Sequence, residues 1–165
     1  MSKDFQEHAP DLIKQLAKGA FLTTKDDDNS NTMTIGWATI GRMWNKPVIV
    51  VAVRYSRHTY KLLENNKEFT VSFPNENDLK DELKFCGTKS GRDYDKFEEC
   101  NLAYQDGKEV SVPVLSDCKQ HFECRVIYQQ TMEPVALSDE LKKRFYQDND
   151  YHVLYYGEIV ANYSN

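Results

Sequence analysis

The run Val48, Ile49, Val50, Val51, Ala52, Val53 constrains this chain more than any other stretch. It has no polar residue at either period-2 phase, so it reads as a strand buried on both faces of a sheet. Polar chemistry crowds its flanks. The hydroxyl-rich stretch NTMTIGWAT precedes it, and Arg54, Ser56, Arg57, His58 and Thr59 follow at once. A buried strand bracketed by hydroxyls and cations raises the question of what those groups are for.

The remaining segments point to a mainly β chain. APDLIKQLAKG predicts a helix opening at Pro10, with Leu12, Ile13 and Leu16 at helical spacing and Gly19 as its stop. GAFLTT reads as a strand, DDDNSN (26–31) as a solvated turn, and NTMTIGWATIG as one strand despite its glycines. SRHTYKLLENN predicts a short helix with Ser56 as N-cap. EFTVSFP alternates Phe69, Val71 and Phe73 as a half-buried strand. NENDLKDELKFCG predicts a helix closed by Gly87, and TKSGRDYDKFEEC a glycine turn with a short helical piece. Asp106-Gly107 between strand-like runs is a hairpin signal. A strand alternating Phe122, Cys124, Val126 and Tyr128 follows, then a helical turn in LSDELKKRFY. The final strand, YHVLYYGEIVANY, carries Gly157 at an expected bulge. Six or seven strands with few, irregularly placed helices disfavour a doubly wound parallel sheet. They favour an antiparallel barrel with short helices over its ends.

Composition narrows the function classes. A length of 165 residues suits one domain, 1–165, with a core that needs no staples. A net charge of −5 argues against a nucleic-acid or anionic-lipid partner, and any local basic site stands out against it. Cys86, Cys100, Cys118 and Cys124 form no C-x-x-C pair and no zinc spacing with His8, His58, His121 or His152. Reduced thiols, no metal site and a cytoplasmic location are the expectation. The opening MSKDFQEHAP has no apolar leader region, and no run approaches the roughly 20 apolar residues of a membrane helix. Rossmann, P-loop and nucleophile-elbow motifs are absent.

What remains is binding chemistry. RYSRHTY places two guanidiniums and two hydroxyls at a strand-to-helix junction, where free amides and the helix dipole attract an anion. Arg54, Arg57, Ser56 and Thr59 suffice for one phosphate; an ordinary cap with solvated cations is the alternative. TKSGRDYDKF repeats the theme with Lys89, Ser90, Gly91, Arg92 and Lys96, the alternative being a loop whose cations pair with Asp93, Asp95 or Glu99. NTMTIGWAT presents open backbone at Gly36 and an apolar platform in Met33, Ile35 and Trp37, which a flat heteroaromatic ring would need; plain core is the alternative.

Taken together, T-M-T, S-R-x-T, S-G-R-x-x-D-K-F and H-V-L-x-x-G-E-I resemble the flavin reductase-like, flavoredoxin-type family of FMN-binding split barrels. The resemblance runs from about residue 19 to residue 160. It implies a split β-barrel and a homodimer with FMN at the subunit interface. Asn31, Thr32, Met33, Thr34, Ile35 and Gly36 would border the flavin ring, largely through backbone. Arg54, Ser56, Arg57 and Thr59 would hold the phosphate tail, with Ser90 and Lys96 nearby. His152 matches a position near the docking place of nicotinamide, from where it could orient that ring or deliver a proton. Many relatives carry proline where this chain has Arg54. The resemblance implies an oxidoreductase passing hydride from NADH or NADPH to FMN. The alternative is a flavoredoxin-like carrier exchanging electrons with a redox protein partner, and a third reading is a barrel with another ligand or none.

Overall fold

The structure is a computed structural model and describes residues 4–165. Residues 1–3, the start of the segment read above as lacking a leader, lie outside the described residues. Helix α1 (Asp4–Leu16) begins before Pro10 and carries it inside, where the proline forgoes one backbone bond instead of opening the helix. Leu12 and Leu16 face the core, while Ile13 points outward. Gly19, at φ 114°, donates its amide to the Gln15 carbonyl at 2.9 Å and turns the chain into β1 (Ala20–Asp26).

The expected turn shrinks to Asp27 and Asp28, because β2 (Asn29–Ile35) pairs with β1 along its whole length. Gly36 and Trp37 then end β2, and β3 (Ala38–Met43) starts, so the single strand expected here is two. Trp44 and Asn45, both at positive φ, make the tight hairpin into β4 (Lys46–Arg54). There follow α2 (His58–Asn65), β5 (Glu68–Phe73), α3 (Lys80–Thr88) and α4 (Lys96–Glu99). Then come β6 (Tyr104–Gln105), β7 (Val114–Leu115), β8 (Gln120–Thr131), α5 (Asp139–Phe145) and β9 (His152–Ser164). Gly87 does not close α3, which runs on to Thr88; it lies against Thr34, where a Cβ would come within 3.3 Å. No helix among the described residues is long and apolar enough to cross a membrane.

Seven strands form one antiparallel sheet in the order β2-β1-β5-β8-β9-β4-β3. Its two edges, β2 and β3, are joined by Gly36 and Trp37 alone. A link that short spans at most about 11 Å, so the sheet curls until the ends of β2 and β3 that flank it come together, while the two edge strands stay unpaired with each other. That closure makes the expected antiparallel barrel. Its interior is Leu22, Met33, Ile35, Ile49, Val51, Val53, Phe69, Val71, Phe122 and Tyr155 among others. Each such side chain contributes about 1.5–3 kcal/mol on burial. A second cluster, around Phe21, Leu83, Cys86 and Phe97, packs α3 and α4 on the outside of β1.

Two burial expectations reverse. In β4 Ile49, Val51 and Val53 line the barrel interior and Pro47 and Val48 are buried too, but Val50 and Ala52 stay partly exposed. In β5 both faces are buried, because residues 106–118 cover the outer one. There Thr70 Oγ1 donates to the Pro113 carbonyl at 2.7 Å, and the Leu115 amide to Ser72 Oγ at 3.2 Å. Gly157 is not itself the extra residue of a bulge. The register of β8 jumps from Val126 to Tyr128, opposite Gly157 and Tyr156, which leaves Ile127 as the inserted one. Gly157 serves close approach, since a Cβ there would lie 2.4 Å from Phe69 Cζ.

The hairpin expected around Asp106-Gly107 forms, with β6 and β7 paired antiparallel (Tyr104 opposite Leu115, Gln105 opposite Val114), but its turn is a long loop, residues 106–113, not a two-residue one. The cause is Glu123 on β8, which is fully buried. Its carboxylate accepts the amides of Lys108 at 2.7 Å, Glu109 at 2.7 Å and Val110 at 3.0 Å, and the Tyr163 hydroxyl at 2.7 Å. Four donors compensate the desolvated charge and shape the loop around it. Glu123→Gln places an amide NH2 against those donors. It is expected to lose about 1.5–3 kcal/mol of stability, measured by urea unfolding against the parent chain.

Candidate functional site

The sequence-predicted residues gather in two places. The first is the start of α2. Asn31 from β2, Ser56, Arg57 and Thr59 from the α2 entrance, Ser90 from the segment before α4 and Lys96 at the start of α4 all line one cleft of about 210 Å³. Arg92, Lys89 and His58 complete its polar wall, and no acidic residue is among the described residues that line it. That is a concentrated positive site on a chain of net charge −5.

The cations are held in place by backbone carbonyls. Arg57 donates through Nη1 to the Gly87 carbonyl at 2.9 Å and through Nη2 to that of Cys86 at 3.4 Å. Lys96 is almost completely buried and donates to the Cys86 carbonyl at 2.9 Å. Both therefore sit on the last turn of α3, the negative end of its dipole. Arg92 donates to the Ser56 carbonyl at 2.9 Å. Neither Arg92 nor Lys96 pairs with Asp93, Asp95 or Glu99, so the loop alternative drawn from the sequence is corrected. Each cation spends only part of its donor set on the fold; Arg has five N–H groups and Lys three. Burial lowers the pKa of Lys96 to about 8, which leaves it mainly charged at neutral pH, and burial also lowers that of Arg57.

Local structure opens the cleft. Arg57 stands at the N-cap of α2 and makes no side-chain cap, so the first-turn amides are left without one. Ser56 is not the cap that the sequence suggested. Its hydroxyl donates to the Asp150 carboxylate, and its amide reaches Asp150 Oδ1 at 3.2 Å. Asn31 Nδ2 donates to Thr59 Oγ1 at 3.0 Å and ties β2 to α2. Gly91 packs so closely that a Cβ would lie 2.1 Å from Asn31 Oδ1.

Along β2 the side chains belong to the fold. Met33 and Ile35 are buried in the barrel core. Thr32 is fully buried 3.2 Å from Thr23 Oγ1, and the Thr34 hydroxyl donates to the Leu83 carbonyl. What β2 can present is backbone: it is a sheet edge, paired through β1 on one side only. Gly36 is exposed at the end of that edge.

The second place is the junction of α5 and β9. Arg54 is engaged here, not with the cationic cleft. It donates to the Asp150 and Phe145 carbonyls, both at 2.8 Å, lies 3.5 Å from Asp148 Oδ1 and stacks over the Tyr146 ring. The structure thus places it outside the cleft, where it pins the α5–β9 loop. His152, opposite Arg54 across the β4–β9 pair, is buried with Nδ1 2.7 Å from the Tyr146 hydroxyl. Trp37 lies 5.1 Å from the His152 ring and 5.0 Å, edge-on, from Phe145, and it is 46% exposed. Burial, reinforced by the Arg54 charge, lowers the His152 pKa to about 4. The resting ring is neutral at pH 7, so it acts as a hydrogen-bonding group rather than as an imidazolium acid.

Sequence reasoning passed over His58 and Tyr146. His58 is the variable position of S-R-x-T, and its place at the first residue of α2 was the available signal. Tyr146 carried none, because its contact with His152 crosses from α5 to β9.

Comparison with known proteins comes last. Residues 16–164 match the family described as flavin reductase like domain. An uncharacterized protein of Archaeoglobus fulgidus is 33% identical over 107 residues, covering 65% of this chain and 59% of its own length. The chain spans about three fifths to two thirds of the curated relatives it matches. Among solved structures, flavoredoxin from Methanosarcina acetivorans superposes with a TM-score of 0.70 at 26% identity, over 89% of this chain and 68% of that one. An FMN-binding protein from Thermus thermophilus superposes with a TM-score of 0.70 at 23% identity, over 88% and 68%. At that identity the second likeness concerns the fold alone.

The His152 environment has a consequence for stability. A folded pKa of about 4 against an ordinary 6.5 means the ring contributes stability that is complete above pH 6.5 and is lost as pH falls toward 4. His152→Gln should therefore flatten the decline in unfolding free energy across that window, measured by urea titrations at several pH values.

Proposed function

Because the chain belongs to the flavin reductase-like family, we propose that it binds FMN and works as an oxidoreductase. The observation that carries this reading is the acid-free cationic cleft at the start of α2, built by Arg57, Arg92 and Lys96. Its donor set fits a phosphate monoester: two guanidiniums, an ammonium, uncapped helix amides and the hydroxyls of Ser90 and Thr59. These residues would hold the phosphate, and the free edge of β2 from Asn31 to Gly36 would offer backbone groups to the ring. When bound, FMN supplies the centre that accepts hydride or electrons.

The chain's own residues contribute position and environment. Arg57 and Lys96 are already fixed on the α3 carbonyls, so little reorganisation accompanies anion binding. Trp37 offers a half-exposed aromatic face beside His152, suited to cover a planar donor and exclude water. His152, neutral and anchored by Tyr146, is suited to orient such a donor. We assign NADH or NADPH as that donor. A homodimer belongs to this reading: Trp44, Tyr128 and Met43 leave an apolar, aromatic patch exposed on the outer side of the sheet.

The likeness to flavoredoxin of Methanosarcina acetivorans favours a second reading, an FMN carrier that serves a protein partner. The net charge of −5 suits a basic partner. Anaerobic titration of the FMN-loaded protein separates the two. Prompt bleaching of flavin absorbance by NADH or NADPH is expected for the reductase; bleaching only with a reduced partner protein identifies the carrier.

Arg57→Ala tests the site itself. Loss of one charged donor is expected to weaken FMN binding by about 1.5–3 kcal/mol, read by fluorescence titration. Stability falls as well, because the Gly87 carbonyl loses its side-chain donor and the Cys86 carbonyl is left with Lys96 alone. Unchanged FMN affinity in this variant would remove Arg57 from the site.

A further inference from the structure

His58, in the wall of the cationic cleft, has a ring nitrogen that the fold leaves unsatisfied. His58 Nδ1 is shut off from solvent and has no hydrogen-bond partner among the described residues. Buried polar atoms are almost always paired, so an unpaired one at a cleft wall calls for a partner from outside the chain. The ring is closely packed: a Cβ at Gly91 would come 2.9 Å from His58 Cδ2. It stands on the boundary between the cleft and an adjoining depression that Asp26, Lys61, Asp93 and Asp95 border.

The charges around the ring are unequal. Arg57 precedes it, Lys61 lies one turn on along α2, Lys89 and Arg92 approach from the segment before α4, and Lys96 from the start of α4. Burial first, then Arg92, Lys61 and Lys96, lower its pKa below the ordinary histidine value in the free protein. Asp26, Asp93 and Asp95 border only the adjoining depression. A dianion in the cleft reverses this balance, because it offsets the cations and favours the protonated ring.

We propose that His58 is a further ligand of the phosphate group, binding it as imidazolium, so that each phosphate monoester dianion enters together with a proton. The proton comes from solvent and stays on the ring; no covalent bond changes. The proposal rests on the FMN reading above and adds to it a pH-dependent grip on the phosphate. Affinity is then greatest where the phosphate is still a dianion and the ring can be protonated, and it declines as pH rises.

The test compares the parent protein with His58→Gln. FMN binding is followed by calorimetry near pH 6.5 in two buffers of different ionisation enthalpy, which counts protons. The parent is expected to take up more protons per FMN than the variant. It should also bind FMN about tenfold more tightly at that pH, the effect of one charge-assisted donor, with the gap closing at alkaline pH. The second ionisation of FMN, near pH 6, acts alike in both proteins and cancels. Riboflavin, which lacks the phosphate, should bind both equally. The His58 ring resonances of the parent give a second measure that needs no variant: their titration midpoint should move upward on adding FMN. Equal FMN affinity and proton count in the two proteins, or an unmoved midpoint, overturns the role of His58 and leaves the FMN reading standing. Folded parent protein that binds no FMN removes that reading, and this proposal with it.

Discussion

The structure depends on one geometric constraint: the two edge strands of a seven-stranded sheet are joined by Gly36 and Trp37 alone. Such a link cannot cross an open sheet, so the sheet closes. Closure gives Ile35 and Ala38 a shared core and sends Trp37 outward against Phe145 and His152. It also leaves β2 as an edge whose far end carries Asn31 to the start of α2. One short link thus positions the aromatic junction and the cationic cleft at the two ends of the same strand.

The cleft follows a second rule, that its cations do structural duty before they meet any ligand. Lys96 and Arg57 converge on the C-terminal carbonyls of α3, which fixes their heads and joins α3 to α2 and α4. Burying a lysine is costly, and the lowered pKa of Lys96 records that cost. An anion seated among these groups would offset it, so ligand binding and stability are linked through the same carbonyls. Glu123 solves the converse problem with four donors and no cation.

Much of this was legible residue by residue. The strands at 20–26, 46–54, 120–131 and 152–164 follow from apolar runs and alternation, and Gly19 ends its helix as its type suggests. Arg57, Ser90 and Lys96 came to one cleft because the hydroxyl and cation clusters lie beside strand and helix ends. The misreadings share a cause. The turn at Asp106-Gly107 widens into a loop around Glu123, sixteen or more residues away in the chain, although its flanking strands pair as expected. Ser56 turns to Asp150, and Arg54 to carbonyls beyond α5. In each case a distant partner outbid the local preference, and no window of neighbouring residues contains that partner.

The amino-acid sequence by itself determined the mainly β character, the segments that carry phosphate-type donors and the family to which the chain belongs. These depend on side-chain type and local spacing, which are properties of the string. Tertiary structure alone decided which cations share a cleft, that Arg54 is not among them, that His152 is neutral, and that His58 lines the cleft with its Nδ1 unpaired. Those outcomes depend on desolvation and on carbonyls brought in from other elements, and both exist only once the barrel has closed.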